Sequence, residues 1–316
     1  MNALVDGFTL TSVDSAVNLE FDGQFGQIES RFEAQSGILW SYMNPRGRAC
    51  FTTELLDDIR AHESRIERGY GRAIHNGVLK SIDYVVFGSK VPGVFNFGGD
   101  LNLFKELIES KNRDRLQSYA KQCIVSLHAR IAHYNLPLTT IALVQGEALG
   151  GGMECALASQ VIIAEKSAEM GLPEVLFNLF PGMGGYSFLV RKIGPDRADQ
   201  FIKSGRRYNA EELHALGVVD VVAEDGRGEN AVYDYIRRNE RKRNAYLGMQ
   251  MARELVNPIT IEELYRIGDV WVDTALGLTD RDLRMMHRLV NAQKNKAQSQ
   301  FGTDQESSGF LSAATA

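Results

Sequence analysis

Residues 143–160 read LVQGEALGGGMECALASQ and combine a glycine turn with a carboxylate. The apolar run from Leu138 to Val144 precedes three glycines, Gly150 to Gly152, and helix-forming residues follow from Met153 to Ser159. This order predicts a strand, a tight turn and a helix start, with Glu154 in the first helical turn. Glycines let the backbone approach a ligand closely, and the free N–H groups of a helix start favour negative charge. The stretch therefore predicts a site where a backbone N–H stabilises an oxyanion while a carboxylate moves a proton.

The composition is typical of a soluble globular protein that buries a sizeable core, with 316 residues, 44% hydrophobic and 24% charged. No segment approaches the roughly 20 apolar residues of a membrane span, and no signal pattern is present, so we expect a cytoplasmic protein. A net charge of -5 argues against nucleic acid as the main partner. The three cysteines, Cys50, Cys123 and Cys155, have no metal-ligand spacing and favour reduced thiols. Cys155 is expected to be a small core residue.

Pattern and composition divide the chain into four predicted parts. These are a polar leader at 1–23, an α/β core at 24–225, a helical C-terminal region at 226–297 and a disordered polar tail at 298–316. Short apolar strands alternate with helices across the core. This alternation predicts an α/β fold with largely parallel strand pairing.

Individual elements of the core and C-terminal region are predicted from apolar periodicity and turn residues. Strands are expected between 29 and 43 and at 84–87, 138–144, 161–164 and 218–222. Helices are expected from about 53 to 69, from 101, from 113 to 133, and at 231–256, 261–271 and 280–296. Residues 170–174 are predicted as a loop, and residues 180–185 as a glycine turn ahead of a helix.

Four glycine-containing motifs follow one another in the core: Gly98-Gly-Asp-Leu101, Gly150-Gly-Gly-Met-Glu154, Gly171-Leu-Pro-Glu174 and Pro181-Gly-Met-Gly-Gly185. In this order they resemble the crotonase (enoyl-CoA hydratase/isomerase) superfamily, which shows an AGAD[LI] loop, a GGG-C-E turn, a G-x-P-E loop twenty residues beyond the first glutamate, and a PG-x-GG turn. Twenty residues also separate the two glutamates here. The resemblance covers about residues 30 to 225 and implies a ββα spiral core with a helical C-terminal region.

The resemblance implies that the backbone N–H groups of Gly99 and Gly151 form an oxyanion hole for a thioester carbonyl, and that Glu154 and Glu174 are the catalytic pair. Removing a proton α to a thioester creates an enolate, whose oxygen needs donors already in place. Two carboxylates in a dry pocket can hold different protonation states and so divide the acid and base roles. Each glutamate alone would be read as a charge at a helix start. Asp100 is expected to cap the helix that follows it rather than act in catalysis.

Within the superfamily the chain most resembles the diffusible signal factor synthases, bacterial enzymes that make cis-2-unsaturated fatty acid signals for quorum sensing. The likeness lies in FNFGGDLNLF at 95–104, a helical insertion at 105–135, and VWVDTALGLTDRDLRMMHRLV at 270–290. It implies dehydration of a 3-hydroxyacyl thioester carried on acyl carrier protein, followed by hydrolysis of the thioester. By analogy Glu174 lies near the α carbon and Glu154 near the hydroxyl, and no metal or redox cofactor is needed.

A fatty-acyl chain requires an apolar tunnel, and the candidate residues are Trp271, Met285 and Leu289. The last two are four residues apart on a predicted helix and therefore share a face. Apolar stripes of this kind more often belong to the plain core. Both interpretations remain open at this point.

Two other functions use the same residues or the surface around them. A CoA-dependent enoyl hydratase or isomerase of fatty acid degradation shares the site, and a non-catalytic protein that binds a regulatory partner is a third interpretation. The basic run at 237–243, RRNERKR, either meets an acidic carrier protein or CoA phosphates, or is a solvated helix face. The resemblance also implies a homotrimer or hexamer assembled through the C-terminal helices.

Overall fold

The computed structural model of the protein describes residues 18–289. The predicted tail at 298–316 lies outside these residues, as do most of the predicted leader and the end of the last predicted helix. Within residues 18–289 no helix is both long enough and apolar enough to cross a membrane.

Thirteen strands occur in the described residues. They are β1 (Gly23–Phe25), β2 (Ile28–Glu33), β3 (Ile38–Met43), β4 (Arg72–His75), β5 (Val78–Ser81), β6 (Tyr84–Ser89), β7 (Val94–Asn96), β8 (Thr139–Val144), β9 (Glu147–Leu149), β10 (Val161–Glu165), β11 (Glu169–Gly171), β12 (Arg207–Asn209) and β13 (Val221–Ala223).

The α-helices of the same part of the chain are α1 (Thr53–Arg68), α2 (Leu101–Glu109), α3 (Arg113–Ile131), α4 (Gly151–Leu157), α5 (Gly185–Ile193), α6 (Pro195–Ser204), α7 (Ala210–Ala215), α8 (Gly228–Asn239), α9 (Arg243–Val256), α10 (Ile261–Leu276) and α11 (280–289). Short 3-10 helices lie at His133–Asn135, Pro173–Phe177 and Glu240–Lys242.

A seven-stranded sheet runs through the molecule in the order β1-β2-β3-β6-β8-β10-β13. Strands β1, β2 and β3 pair antiparallel, and the pairs from β3 to β13 are parallel. Every residue of β3 and β10 is buried. Parallel strands covered on both faces are continuous apolar runs, which is why periodicity identified them in the sequence.

A second, four-stranded sheet has the order β12-β11-β9-β7, with β7, β9 and β11 parallel and β12 antiparallel to β11. The pairs β6/β7, β8/β9 and β10/β11 each place one strand in the large sheet and the next in the small sheet, and helical structure follows each pair. This repeated unit is a ββα spiral. It confirms the predicted α/β fold with largely parallel pairing.

The short elements differ from the predictions. Residues 170–174, predicted as a loop, form the end of β11 and the start of a 3-10 helix. The helix predicted at 231–256 is two helices, α8 and α9, separated by the 3-10 turn at Glu240–Lys242, and α10 continues five residues beyond its predicted end. Strand β12 and the β4-β5 hairpin were not predicted. Strands of three or four residues are too short to show a clear apolar period.

Helix α4 packs against β7, β8, β9 and α5. All seven of its residues are buried. The helix that carries Glu154 therefore lies inside the core, between elements of both sheets.

Candidate active site

Three neighbouring strands of the small sheet bring the predicted site residues together. Because β7, β9 and β11 are parallel, their carboxyl ends meet at one edge of the sheet. Strand β7 leads to Gly99, β9 leads to Gly151 and Glu154, and β11 leads to Glu174. All four residues line one cavity of about 280 Å³.

The backbone N–H groups of Gly99 and Gly151 belong to chain segments that are packed against each other. A Cβ atom built on Gly151 would lie 3.4 Å from the Gly99 nitrogen, and one built on Gly98 would lie 2.7 Å from the Gly151 nitrogen. Gly151 is the first residue of α4, where the N–H group has no acceptor within the helix. Among the described residues, the Gly99 N–H also has no acceptor. Two free donors therefore border the cavity.

Glu154 is held by the second glycine turn of the sequence. Its Oε1 atom accepts hydrogen bonds from the N–H groups of Met183 at 2.8 Å and Gly185 at 2.7 Å. Burial raises the pKa of Glu154, and these backbone donors oppose the rise. Because both bonds use Oε1, the Oε2 atom remains for a molecule in the cavity.

Glu174 lies in the 3-10 helix after β11 and is 9% exposed. Its Oε2 atom is buried and accepts no hydrogen bond from the described residues. Burial, followed by the nearby charge of Glu154, raises the pKa of Glu174. Since Glu154 has backbone donors and the Oε2 of Glu174 has none, a single proton shared by the pair resides on Glu174 and the charge on Glu154.

Most of the cavity wall is apolar, which keeps the effective dielectric low around the two carboxylates. The Phe104 ring packs edge to face against the rings of Trp271 and Tyr119, with centroid distances of 5.0 Å and 5.2 Å. Of the three residues predicted to line an acyl tunnel, Trp271 and Leu289 border this cavity.

Met285 does not border the cavity, so this part of the prediction is wrong. Its side chain is 38% exposed, whereas the adjacent Met286 is 1% exposed and packs in the main core. One residue rotates the direction of a helical side chain by about 100°. The buried face of α11 includes Leu283 and Met286, and Leu289 lies three residues after Met286, so Met286 rather than Met285 shares the inward direction.

Asp100 caps α2, as predicted. Its Oδ1 atom accepts from the N–H groups of Asn102 and Leu103, and Arg48 donates to both carboxylate oxygens at 2.6 and 2.5 Å. Both oxygens are thus engaged, which favours a supporting role for Asp100 in the loop that carries Gly99.

The cysteines near the site are buried thiols. Cys123 borders the cavity, and burial raises the pKa of its thiol far above the usual range. Cys155 follows Glu154 but accepts a hydrogen bond from Arg130 at 2.9 Å, inside the core. The position of Cys155 agrees with the prediction of a core residue.

A larger cavity of about 820 Å³ lies between α9 and the body of the molecule, and none of the four predicted site residues borders it. Of the basic run at 237–243, Asn239 and Arg243 border this cavity. Arg243 is paired to Asp83 at 2.6 Å, and Arg237 is paired to Asp234 at 2.7 Å. Within residues 18–289 no group of three His, Cys, Asp or Glu side chains is arranged to hold a metal ion. The smaller cavity is therefore the candidate active site.

Comparison with known proteins identifies the family of this chain from its sequence and finds solved structures that share its fold. The family described as enoyl-CoA hydratase/isomerase matches residues 78–253, more than half of the chain. The mitochondrial methylglutaconyl-CoA hydratase of Mus musculus is 36% identical over 156 residues, which are 49% of this chain and 47% of that protein. The chain thus spans about half the length of the curated relatives it matches.

Two solved structures illustrate the likeness in fold. Human mitochondrial delta3-delta2-enoyl-CoA isomerase has a TM-score of 0.69 at 18% identity, covering 85% of this chain and 99% of that one. Pseudomonas aeruginosa DspI has a TM-score of 0.58 at 24% identity, covering 72% of this chain and 82% of that one. Identities this low establish the shared fold but not a shared substrate.

Proposed function

The chain belongs to the enoyl-CoA hydratase/isomerase family, and from this premise we propose that it is a fatty acyl thioester dehydratase with thioesterase activity. The proposed substrate is a 3-hydroxy fatty acyl thioester on acyl carrier protein, and the product is a free cis-2-unsaturated fatty acid that serves as a quorum-sensing signal. One observation carries this proposal. Two free N–H groups and two carboxylates border the same apolar cavity. One carboxylate accepts two backbone hydrogen bonds, and the other has a buried oxygen that accepts none from the described residues.

In the dehydration step, the thioester carbonyl accepts hydrogen bonds from the N–H groups of Gly99 and Gly151. One glutamate removes the α proton, and the negative charge that develops on the carbonyl oxygen is stabilised by the two donors. The other glutamate protonates the 3-hydroxyl, which leaves as water. The pair carries one proton before and after the step, and the position of that proton decides whether dehydration or hydration proceeds.

In the protein without substrate, the surroundings of the two glutamates favour charge on Glu154 and the proton on Glu174. If Glu174 lies near the α carbon, this protonation state is the one that hydration requires. Dehydration requires the opposite state, in which the proton has moved to Glu154. For hydrolysis, a glutamate carboxylate takes a proton from water as the water attacks the held carbonyl, and the thiolate of the carrier leaves. No covalent enzyme intermediate is required.

A CoA-dependent enoyl hydratase or isomerase is the second candidate. The mouse methylglutaconyl-CoA hydratase is 36% identical over 156 residues, and this likeness favours CoA chemistry. The sequence likeness of Asn96-Phe97 and of residues 270–290 to the signal synthases favours the first candidate. The two candidates share the catalytic groups and differ in the carrier and in the release of a free acid.

The decisive experiment compares turnover of the same 3-hydroxyacyl group on acyl carrier protein and on CoA, with mass spectrometry of the products. We expect faster turnover on the carrier protein and a free 2-enoic acid, whose double-bond geometry is then read by gas chromatography. Preferred turnover of the CoA thioester with no free acid would establish the second candidate instead.

The cavity wall predicts how acyl chain length is recognised. Changing the partly buried Leu289 to Gln is expected to raise KM for a long-chain substrate by about tenfold, because a polar group that the acyl chain covers loses its hydration without gaining a partner. The effect on a short-chain substrate is expected to be small. Met285→Gln is the matched control, since Met285 lies one turn earlier on α11 and outside the wall. Equal losses for long and short chains would contradict an acyl-binding role for Leu289.

Assembly and regulation are proposed on a different surface. Helix α9 exposes four large apolar side chains, Met249, Met251, Leu255 and Val256. Exposed apolar faces of this kind are typical of protein contacts. They support the proposal of a homotrimer or hexamer formed through the C-terminal helices, and they leave room for a regulatory protein partner.

A further inference from the structure

The loop that carries Gly99 is shaped by a side chain to which the proposed function assigns no role. Asn96, the last residue of β7, is 1% exposed. Its Oδ1 atom accepts a hydrogen bond from the N–H of Gly98 at 2.7 Å. An Asn side chain that accepts from the N–H two residues later forms an Asx turn, and Gly98 adopts a φ of +89° in this turn.

The orientation of the Asn96 amide is set by its other end. Its Nδ2 atom donates to Met43 Sδ at 3.4 Å, and Met43 is the last residue of β3 in the large sheet. Because the amide nitrogen points to sulfur, the amide oxygen faces Gly98. The side chain therefore links the large sheet to the loop after β7.

The backbone of the same residue touches the second glycine segment. A Cβ built on Gly152 would lie 1.9 Å from the Asn96 carbonyl oxygen, so the first turn of α4 lies directly against Asn96. Asn96 also pairs with Ala148 of β9, the strand that leads to Gly151. One residue thus contacts both segments that supply the free N–H groups.

The amides around Gly99 alternate between bound and free. Gly98 N–H is bound by Asn96, and Asp100 N–H donates to Tyr119 Oη at 3.1 Å. The Gly99 N–H between them has no acceptor among the described residues. Binding the two flanking amides fixes the direction of the one that remains.

We propose that Asn96 is a positioning residue that sets the direction of the Gly99 N–H relative to the Gly151 N–H, and so determines how strongly the thioester carbonyl is polarised. This inference rests on the proposed thioester chemistry of the cavity. Asn96 does not line the cavity. It acts through the Gly98 amide, and its contribution appears when negative charge develops on the carbonyl oxygen.

The test uses three variants of Asn96. Asn96→Leu keeps most of the volume and removes the acceptor, Asn96→Ala removes both, and Asn96→Ser keeps an oxygen that can accept from the N–H two residues later. We expect Asn96→Leu and Asn96→Ala to lower kcat by about 10²-fold with KM changed less than threefold, because a misplaced donor weakens the transition state more than the ground state. Asn96→Ser is expected to recover part of the loss.

A spectroscopic readout separates positioning from general stability. A saturated acyl thioester labelled with ¹³C at the carbonyl is bound to the Glu174→Gln protein, and the chemical shift of the bound carbonyl reports its hydrogen bonds. We expect Asn96→Leu in this background to reduce the downfield shift. Asn112→Ala is the matched control, because Asn112 also accepts a backbone N–H, that of Arg115, at an exposed helix start. It is expected to leave the carbonyl shift unchanged.

The outcomes distinguish this inference from the proposed function. An unchanged carbonyl shift in folded Asn96→Leu and Asn96→Ala proteins would overturn the role of Asn96, whatever the turnover. A shift that depends on Asn96, together with no turnover of either 3-hydroxyacyl thioester by the unmodified protein, would support the role and reject the proposed reaction. Failure of the parent protein to bind any acyl thioester would reject both.

Discussion

Replacing Glu174 with Gln is expected to lower turnover by about 10²- to 10⁴-fold, the usual contribution of a positioned acid or base, while making the protein more stable. Glu174 is buried, and its Oε2 atom has no donor among the described residues. The negative charge that this position carries once the pH exceeds its raised pKa therefore lowers the free energy of unfolding. A neutral amide removes both the proton transfer and the unfavourable charge.

The direction in which folding stability changes with pH follows from the raised pKa of Glu174. The folded protein holds this proton more tightly than the unfolded chain, so wild-type stability is fully present below the unfolded pKa of about 4.3 and falls as the pH rises through the folded pKa. The Gln variant lacks this loss. Its advantage in Tm is expected to grow between about pH 4 and pH 8, by about 2–4 °C for each kcal/mol.

Calorimetry at both ends of that pH range, together with kcat, checks the prediction. Glu165→Gln is the matched control, because Glu165 is also buried but accepts hydrogen bonds from Gly228 N–H and Gln145. We expect Glu165→Gln to lose stability and keep turnover. A Glu174→Gln protein that is less stable than wild type at high pH would contradict the assigned surroundings of Glu174.

Replacing Gly150 with Ala is expected to lower kcat by at least about 10²-fold, comparable to the loss of an oxyanion donor. Gly150 precedes α4 with φ +54° and ψ -126°, a conformation that side chains rarely adopt. An added Cβ would also lie 2.8 Å from Glu174 Oε1. The substitution therefore displaces the Gly151 N–H and one of the carboxylates together.

Kinetics and thermal unfolding of Gly150→Ala are compared with those of Gly226→Ala. Gly226 has a φ of +73° but open space around its Cβ position, so this control carries backbone strain without a contact to the site. Both variants are expected to lose about 1–2 kcal/mol of stability, and only Gly150→Ala is expected to lose turnover. Near-normal kcat in Gly150→Ala would contradict the proposal that the Gly151 amide belongs to an oxyanion hole.

The sequence predicted the parts of the fold that have long repeating patterns. The buried strands β3, β6, β8 and β10 are apolar runs, and α1 is preceded by the capping Thr52 and followed by Gly69, so their approximate positions could be predicted. The strands β7, β9 and β11 contain three residues each. They form because neighbouring strands pair with them, which is information that a local window does not contain.

The site was predicted to a similar extent. The motif order indicated Gly99, Gly151, Glu154 and Glu174, and these residues do meet in one cavity. The sequence could not show that Met183 and Gly185 donate to Glu154, since the contact joins positions about thirty residues apart. The choice of Met285 failed because two methionines are adjacent and helical periodicity alone does not say which one faces inward.

The complete burial of α4 limits how the protein can move. Backbone amides of a helix with no exposed residue exchange with solvent only when a larger unit of the fold opens. Local fluctuation of α4 is therefore too costly to admit a substrate. The entry path must be formed by parts of the cavity wall that already reach the surface, such as Leu176, which is 51% exposed. Entry of a molecule into the cavity and the geometry around Glu154 thus depend on separate regions, one that reaches the surface and one that is fully buried.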